Sequence, residues 1–467
     1  MRKALSPAAV AAFSALALAA CAPNYTLPPT ATPDAVRPGE QVVIAKDWWK
    51  AFDDPVLQRL IDDAFAASPT LEQAVARVNA AEARLGISRS QQLPTVNANL
   101  NASRQELSTE TNPLSSGSFS VYQGNLSAFW ELDLWGRVRN EVAASRADLI
   151  GAESGREAVR LTLASRVAQT YFQLRALDAQ LETTRLTVSS RENSYRLREK
   201  RFVGGMTSEL DLRQAESELT SARAQIPDIL TAISSSEGAL AELVGTSPKD
   251  LFATGAPRGK SIDAIPVPPA VPEALPSDLL GRRPDIREAE EGLRATQARV
   301  ASAQAAWFPQ IGLTGAFGGE SLAFGDLFKG PARAWSYAGS LTMPLFNSGL
   351  TAAQVDLASA NERNAAANYR AVVIRAFSDA RIAIVAKQQA LYRASAREQT
   401  VSALRRQVRL ATLRYDNGYS NYLDVLDAER ALFSAELALA DARRQHLSAA
   451  VDLYRALGGG WTAPERQ

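Results

Sequence analysis

Polar and apolar residues alternate strictly along four stretches of this 467-residue chain. Val96, Ala98, Leu100 and Ala102 alternate with Thr95, Asn97, Asn99, Asn101 and Ser103. Tyr122, Gly124, Leu126, Ala128, Trp130, Leu132 and Leu134 alternate with Gln123, Asn125, Ser127, Glu131 and Asp133. Ile311, Leu313, Gly315 and Phe317 make a third set. Trp335, Tyr337, Gly339, Leu341, Met343 and Leu345 make a fourth, against Ser336, Ser340 and Thr342. A period of two over about ten residues, with aromatics near the ends, is the pattern of transmembrane β-barrel strands. A half-buried sheet of a soluble domain would alternate in the same way. Hydrocarbon does not tolerate open sheet edges, and four strands cannot close a barrel. If these strands cross a membrane, several chains must share one barrel. Two chains would give eight strands with a filled interior, and three would give twelve with room for a lumen.

Elsewhere the spacing is helical and the helices are long. No glycine or proline falls between Gly349 and Gly418, and no proline between Gly136 and Arg201. At 1.5 Å per residue, about 65 residues make a rod of roughly 100 Å. Each rod should turn and return, over Ser208 to Val244 and Asn421 to Leu457. Rods of this kind have no core of their own and must pack laterally through a narrow seam of small residues. Ala352, Ala353, Ala358, Ala360, Ala365, Ala366 and Ala367 are the expected seam. Pro227 should kink the first return helix or end one segment of it. Shorter helices are expected from Pro55 to Ala67 and from Pro69 onward, the second with Leu71, Val75, Val78 and Leu85 as its apolar stripe.

The chain states this plan twice. Arg201-Phe202-Val203-Gly204-Gly205-Met206-Thr207-Ser208-Glu209-Leu210-Asp211 recurs as Arg414-Tyr415-Asp416-Asn417-Gly418-Tyr419-Ser420-Asn421-Tyr422-Leu423-Asp424. Ser68-Pro69 matches Arg283-Pro284, Leu93-Pro94 matches Phe308-Pro309, and Gly136 matches Gly349, in the same order. A tandem duplication of helix, hairpin strands, long helix, turn and long helix follows.

The ends add a location. Arg2 and Lys3 precede an apolar run from Ala8 to Ala20, too short to span a bilayer and suited to an export signal. It ends Leu18-Ala19-Ala20-Cys21, which resembles a lipobox, and Cys21 is the sole cysteine. The expected modification is a covalent lipid on Cys21, with Ala22 compatible with the outer membrane. The organisation is then 1–20 signal peptide, 21–45 lipidated Pro-rich tether, 46–245 first repeat, 246–280 linker, 281–457 second repeat and 458–467 C-terminal equatorial segment. With 51 basic and 50 acidic residues, the charge leaves no nucleic-acid footprint. The single histidine, His446, reads as a solvated helix position, and no nucleotide loop or nucleophile elbow occurs. The chain therefore reads as a non-enzyme without cofactor or metal.

Trp48-Trp49-Lys50-Ala51-Phe52-Asp53-Asp54-Pro55, Arg282-Arg283-Pro284-Asp285-Ile286, Tyr422-Leu423-Asp424-Val425-Leu426-Asp427-Ala428-Glu429 and Leu457-Gly458-Gly459-Gly460-Trp461 together carry a resemblance. They resemble the TolC family of outer membrane factors, in its lipoprotein branch (NodT-type, OprM-like), over essentially the whole mature chain. The resemblance implies a homotrimer with one twelve-stranded β-barrel, a long periplasmic α-helical barrel and an equatorial collar. It implies the exit duct of a tripartite efflux pump in the outer membrane of a Gram-negative bacterium. The partners would be outer-membrane lipid, a periplasmic adaptor and an inner-membrane transporter, often of the resistance-nodulation-division class, with multidrug resistance as the outcome.

Two sets of residues are singled out. The helix-turn-helix tips, Val203, Gly204, Gly205, Asn417 and Gly418, are turn chemistry, with glycines for φ > 0; the resemblance adds adaptor docking. Asp424 and Asp427 share one helix face, and symmetry copies in a tube would stack them into carboxylate rings that attract cations. Capping accounts for Asp424, with Asn421 at the N-cap, and the first repeat keeps that arrangement in Ser208 and Asp211. It does not account for Asp427, opposite which the first repeat has Gln214. The resemblance implies that Leu423, Asp424 and Asp427 constrict the periplasmic aperture. Two rivals stand beside the pump: a lipid-anchored periplasmic coiled-coil scaffold without a pore, and an exit channel for type I secretion or metal efflux.

Overall fold

The computed structural model describes residues 27–28, 45–106, 118–247, 249–250, 255–268 and 279–461. The signal peptide, Cys21, most of the tether, part of the linker and residues 462–467 lie outside them. A 3₁₀ turn, Trp48–Phe52, leads to α1 (Pro55–Ala67) and α2 (Pro69–Ser90). Strands β1 (Thr95–Glu106) and β2 (Ser118–Leu132) follow, then α3 (Arg137–Val203) and α4 (Glu209–Val244). The second half repeats the order: α5 (Pro284–Ala305), β3 (Gln310–Ser321), β4 (Arg333–Thr342), α6 (Leu350–Asp416) and α7 (Tyr422–Ala456). The duplication holds in length as well as in order. Helices α2 and α5 have 22 residues each, α3 and α6 have 67 each, and α4 and α7 have 36 and 35. Among the described residues no helix is long and apolar enough to cross a membrane.

The chain forms two compact units. One gathers Arg77–Glu153 and Glu288–Ala371 and holds the sheet. Its strands run β1-β2-β3-β4, all antiparallel, so β1 and β4 are the two edges. The register carries the sequence alternation across the whole sheet. Leu100 pairs with Gly124, Leu126 with Phe317, Ala128 with Gly315 and Phe317 with Trp335, which puts the apolar residues of all four strands on one face. The other face is polar, and there Asn99 Nδ2 donates to Asn125 Oδ1 (3.1 Å) and Ser127 Oγ (2.9 Å). Phe129, opposite Thr95 and Thr314, and Phe119, opposite Gln105, are aromatic exceptions on that face. Strands β2 and β4 end earlier than the alternation suggested, whereas β1 and β3 run past it. Asp133 leaves β2 to cap α3, its carboxylate accepting from Val138 N (3.1 Å) and Arg139 N (2.7 Å). Met343 and Leu345 lie beyond β4, because Pro344 has no N–H to donate to a ladder.

The other unit includes Ser154–Arg287 and the described residues 45–76 and 372–461. Its core joins Trp48, Trp49, Phe52, Leu57 and Ile61 to Leu163, Val167, Tyr171, Phe172 and Leu174 of α3, and to Leu447 and Val451 of α7. Asp54 organises the chain entry. Its Oδ1 caps α1 at Val56 N (2.9 Å) and Leu57 N (3.2 Å), and its Oδ2 accepts from Tyr171 Oη (2.7 Å) and Lys260 N (3.1 Å). Burial, with the neighbouring Asp54 carboxylate, pushes the Tyr171 hydroxyl well above the ordinary tyrosine range.

Packing within the chain refines four expectations for the helices. Between Tyr369 and Ala390 the buried positions of α6 are Tyr369, Val373, Ala376, Ala380, Ala383, Lys387 and Ala390, an alternation of four and three; Thr351 and Val401 are buried outside that stretch. That spacing is a coiled-coil seam. Ala352, Ala353, Ala360 and Ala367 are exposed, and Ala358, Ala365 and Ala366 are only partly covered, because they lie outside that stripe. On α2 the covered line is Leu71, Ala74, Val78, Ala81 and Leu85, and Val75 is exposed one position off it. Helix α4 runs through Pro227 without ending; Ala222 and Ile233 are buried on either side, so packing outweighs the lost backbone bond. His446 is half-buried rather than solvated, and burial lowers its pKa.

Candidate functional site at the helical hairpin tips

The two turns are built identically. Met206 N bonds Arg201 O and Tyr419 N bonds Arg414 O, both at 2.8 Å; Gly205 N bonds Phe202 O and Gly418 N bonds Tyr415 O, both at 2.9 Å. This pair of bonds is a Schellman motif, and it needs a left-handed residue at the fifth position. Gly205 (φ +72°) and Gly418 (φ +76°) supply it. Gly204 does not hold a positive φ. It occupies the place of Asn417, whose Nδ2 donates to Leu413 O at 2.7 Å. The return helices start alike, with Asp211 N donating to Ser208 Oγ and Asp424 N to Asn421 Oδ1, both at 3.2 Å.

The tips differ in what they present. Val203, Met206 and Leu210 of the first turn are 82 %, 74 % and 65 % exposed, apolar residues left uncovered among the described residues. In the second turn the equivalents are Asp416, Tyr419 and Leu423. Leu423, Asp424 and Asp427 all lie exposed on the first turns of α7. Sequence reading singled out Val203 but passed over Met206, Leu210 and Tyr419. Apolar residues flanking a turn, where polar ones are the rule, were the available signal.

Asp427 belongs to a larger charge cluster that the sequence did not announce. Its Oδ1 lies 3.4 Å from Arg430 Nη1, and Arg430 is bound at 2.6 Å to Glu218 Oε1 of α4. Glu218 is buried and also meets Arg191 of α3 at 3.1 Å, while Arg191 Nη1 donates to Glu218 O at 2.8 Å and lies over the Phe433 ring. Arg198 is buried between Tyr415 (4.5 Å) and Tyr422 (4.2 Å). Among the described residues its Nε and Nη1 have no hydrogen-bond partner, so ring faces take the place of acceptors. Burial pushes the Glu429 carboxyl above its ordinary value, and Glu218 adds to this; Arg191 and Arg198 pull it back. The first hairpin thus grips the second through buried arginines and one shared carboxylate. The second repeat has Leu404, Ala411 and Ala431 where the first has Arg191, Arg198 and Glu218. The grip is therefore specific to one pairing of the duplicated hairpins.

The outer membrane efflux protein family profile matches residues 60–246 and 275–459, one match over each half. The chain belongs to the outer membrane efflux protein family. It is 34 % identical over 460 residues to the outer membrane protein OprJ of Pseudomonas aeruginosa, covering 96 % of this chain and 94 % of OprJ. It is 34 % identical over 432 residues to the solvent efflux pump outer membrane protein SrpC of Pseudomonas putida, covering 91 % of each. The Campylobacter jejuni CmeC outer membrane channel has the same fold, with a TM-score of 0.90 at 27 % identity, over 95 % of this chain and 96 % of CmeC. This family member is an outer-membrane exit channel of an efflux pump, and not an enzyme.

Proposed function

We propose that three copies of the chain join edge to edge and form the passive exit duct of a tripartite efflux pump for small toxic molecules. The observation that carries this reading is the sheet: one face apolar along its middle, with Arg104 and Arg333 only at its hairpin end, the other face mainly polar, and both edge strands open. Hydrocarbon leaves such edges no solution but closure, and three chains supply the twelve strands that leave a lumen. The apolar face then meets lipid, and the face of Asn97, Asn99, Asn125 and Ser127 lines the water path.

The remaining roles follow from that assembly. Leu423, Asp424 and Asp427 form the periplasmic aperture, where three copies of each acid bring like charges together and favour cations. The grip of Arg191, Glu218 and Arg430 holds the second hairpin, and hence the aspartates, in place. The apolar tip with Val203, Gly204 and Gly205, together with Asn417 and Gly418, receives the periplasmic adaptor. An inner-membrane transporter of the resistance-nodulation-division class supplies the energy. Cys21 carries the lipid that anchors the chain in the outer membrane, with the helical barrel in the periplasm.

The test is the form the protein takes without its anchor. Cys21→Ser behind an ordinary export signal should still need detergent and should have the mass of three chains by light scattering. A water-soluble single chain would overturn the barrel and return the molecule to a lipid-anchored scaffold.

A further inference from the structure

The connection between β3 and β4 folds back onto the apolar face of the sheet. Leu327 is 4 % exposed and sits above two glycines. A Cβ on Gly124 would touch Leu327 Cδ2 at 3.5 Å, and one on Gly319 would collide with Leu327 O at 2.5 Å. Phe324 meets Tyr122 edge to face at 5.7 Å. Between loop and sheet lies a groove of about 490 Å³, floored by Leu100, Leu126 and Phe317 and walled by Leu327 and Phe328. Phe328 is 83 % exposed, so the groove opens sideways along the apolar face rather than into the chain.

Its rim is cationic. Lys329 and Arg333 both line it. Lys329 is held at 2.5 Å by Asp326, whereas Arg333 has no hydrogen-bond or ion-pair partner among the described residues. Arg333 pairs with Gly319 in the register and so stands on the apolar face. Arg104, at the end of β1 on that face, donates to Ser118 Oγ at 3.1 Å. A guanidinium beside hydrocarbon without an anion is costly, and the long cationic side chains of membrane proteins reach for headgroups. The groove lies at the hairpin ends of the strands, away from the helices that precede β1 and follow β2. On the barrel reading above, on which this inference rests, that end faces the outer leaflet.

We infer that this groove binds a phosphorylated, multiply acylated glycolipid of the outer leaflet, with one acyl chain over Leu126 and Phe317 and a headgroup phosphate between Arg333 and Lys329. The apolar groove accepts the chain and the rim accepts the anion; a neutral or zwitterionic lipid would leave the Arg333 charge uncompensated.

The test is native mass spectrometry of the detergent-solubilised full-length assembly, titrated with bisphosphorylated lipid A, dephosphorylated lipid A, phosphatidylethanolamine or inorganic phosphate. Bisphosphorylated lipid A should bind once per chain. Lys329→Gln with Arg333→Gln should weaken it about tenfold. Phe328→Ser, at an exposed position that folding does not need, should weaken it severalfold, and inorganic phosphate should not displace it. Equal binding of the dephosphorylated lipid or of phosphatidylethanolamine, displacement by inorganic phosphate, or undiminished binding by the double variant would overturn the site. The same preparations are placed in planar bilayers. Variants that conduct normally while lipid A selectivity is absent sink this inference alone, whereas no conductance from any preparation sinks the barrel.

Discussion

Replacing Glu218 by alanine separates the buried half of the tip cluster from the exposed half. Glu218 and Arg191 are both buried, with side-chain exposures of 10 % and 7 %, whereas Arg430 is 48 % exposed. Removing one partner of a buried ion pair costs about 3–5 kcal/mol, because the other charge stays in a poor environment. Arg191 keeps its bond to the residue 218 carbonyl and its place over Phe433, so the lower end, about 3 kcal/mol, is expected for Glu218→Ala. Arg430→Ala removes only a solvent-screened pair and should cost about 0.2–1 kcal/mol. Hydrogen exchange of the detergent-solubilised protein reads the difference locally. Amides around Arg191, Glu218 and Tyr422 should lose roughly a hundredfold in protection in Glu218→Ala, at about tenfold per 1.4 kcal/mol, and under about fivefold in Arg430→Ala. Equal effects of the two changes, or a larger effect of Arg430→Ala, would refute the claim that the buried arginine carries the grip.

Three further outcomes are expected. Tyr171→Phe deletes the hydroxyl that donates to Asp54 and accepts from Gly259 N, and should lower stability by about 1–3 kcal/mol in thermal unfolding. Glu429 has its folded pKa above the unfolded value, so its ionised form is the one that folding penalises; the penalty from this group is full above the folded pKa and is relieved as pH falls through it. Glu429→Gln should therefore melt higher than the native protein at neutral pH, with the gap narrowing as pH falls toward the ordinary glutamate range. A Cβ on Gly418 meets nothing within 4 Å, so Gly418→Ala costs only the left-handed backbone, about 1–2 kcal/mol, and should speed proteolysis at that tip; Gly204→Ala, without a positive φ, should not.

The architecture was legible because it rests on local pattern. Alternation in the strands, prolines at helix starts and glycines at helix ends are short-range rules, and the duplication states each of them twice. Ser208 and Asn421 cap the starts of the return helices as their side chains implied. Long-range pairing was not legible. Nothing in the order of residues links Arg191 to Glu218, Arg198 to Tyr422 or Asp54 to Tyr171, since each pair is set by which helix lies beside which. The stripe of α6 that packs within the chain was not legible for a related reason. Alanines crowd the chain from Ala352 to Ala367, but period, not abundance, selects the packed stripe, and Tyr369, Val373 and Lys387 belong to it as much as the alanines do. Leu327 escaped notice because a single apolar residue in a loop carries no period at all.

Single-channel recording in a planar bilayer tests most directly whether the sheet closes into a pore whose narrow end Asp424 and Asp427 guard. The purified protein should give small, cation-selective openings, and Asp424→Ala with Asp427→Ala should widen them and reduce the selectivity. A folded preparation that never conducts, in either form, would contradict the pore, and equal conductance in the two forms would contradict the aspartate aperture.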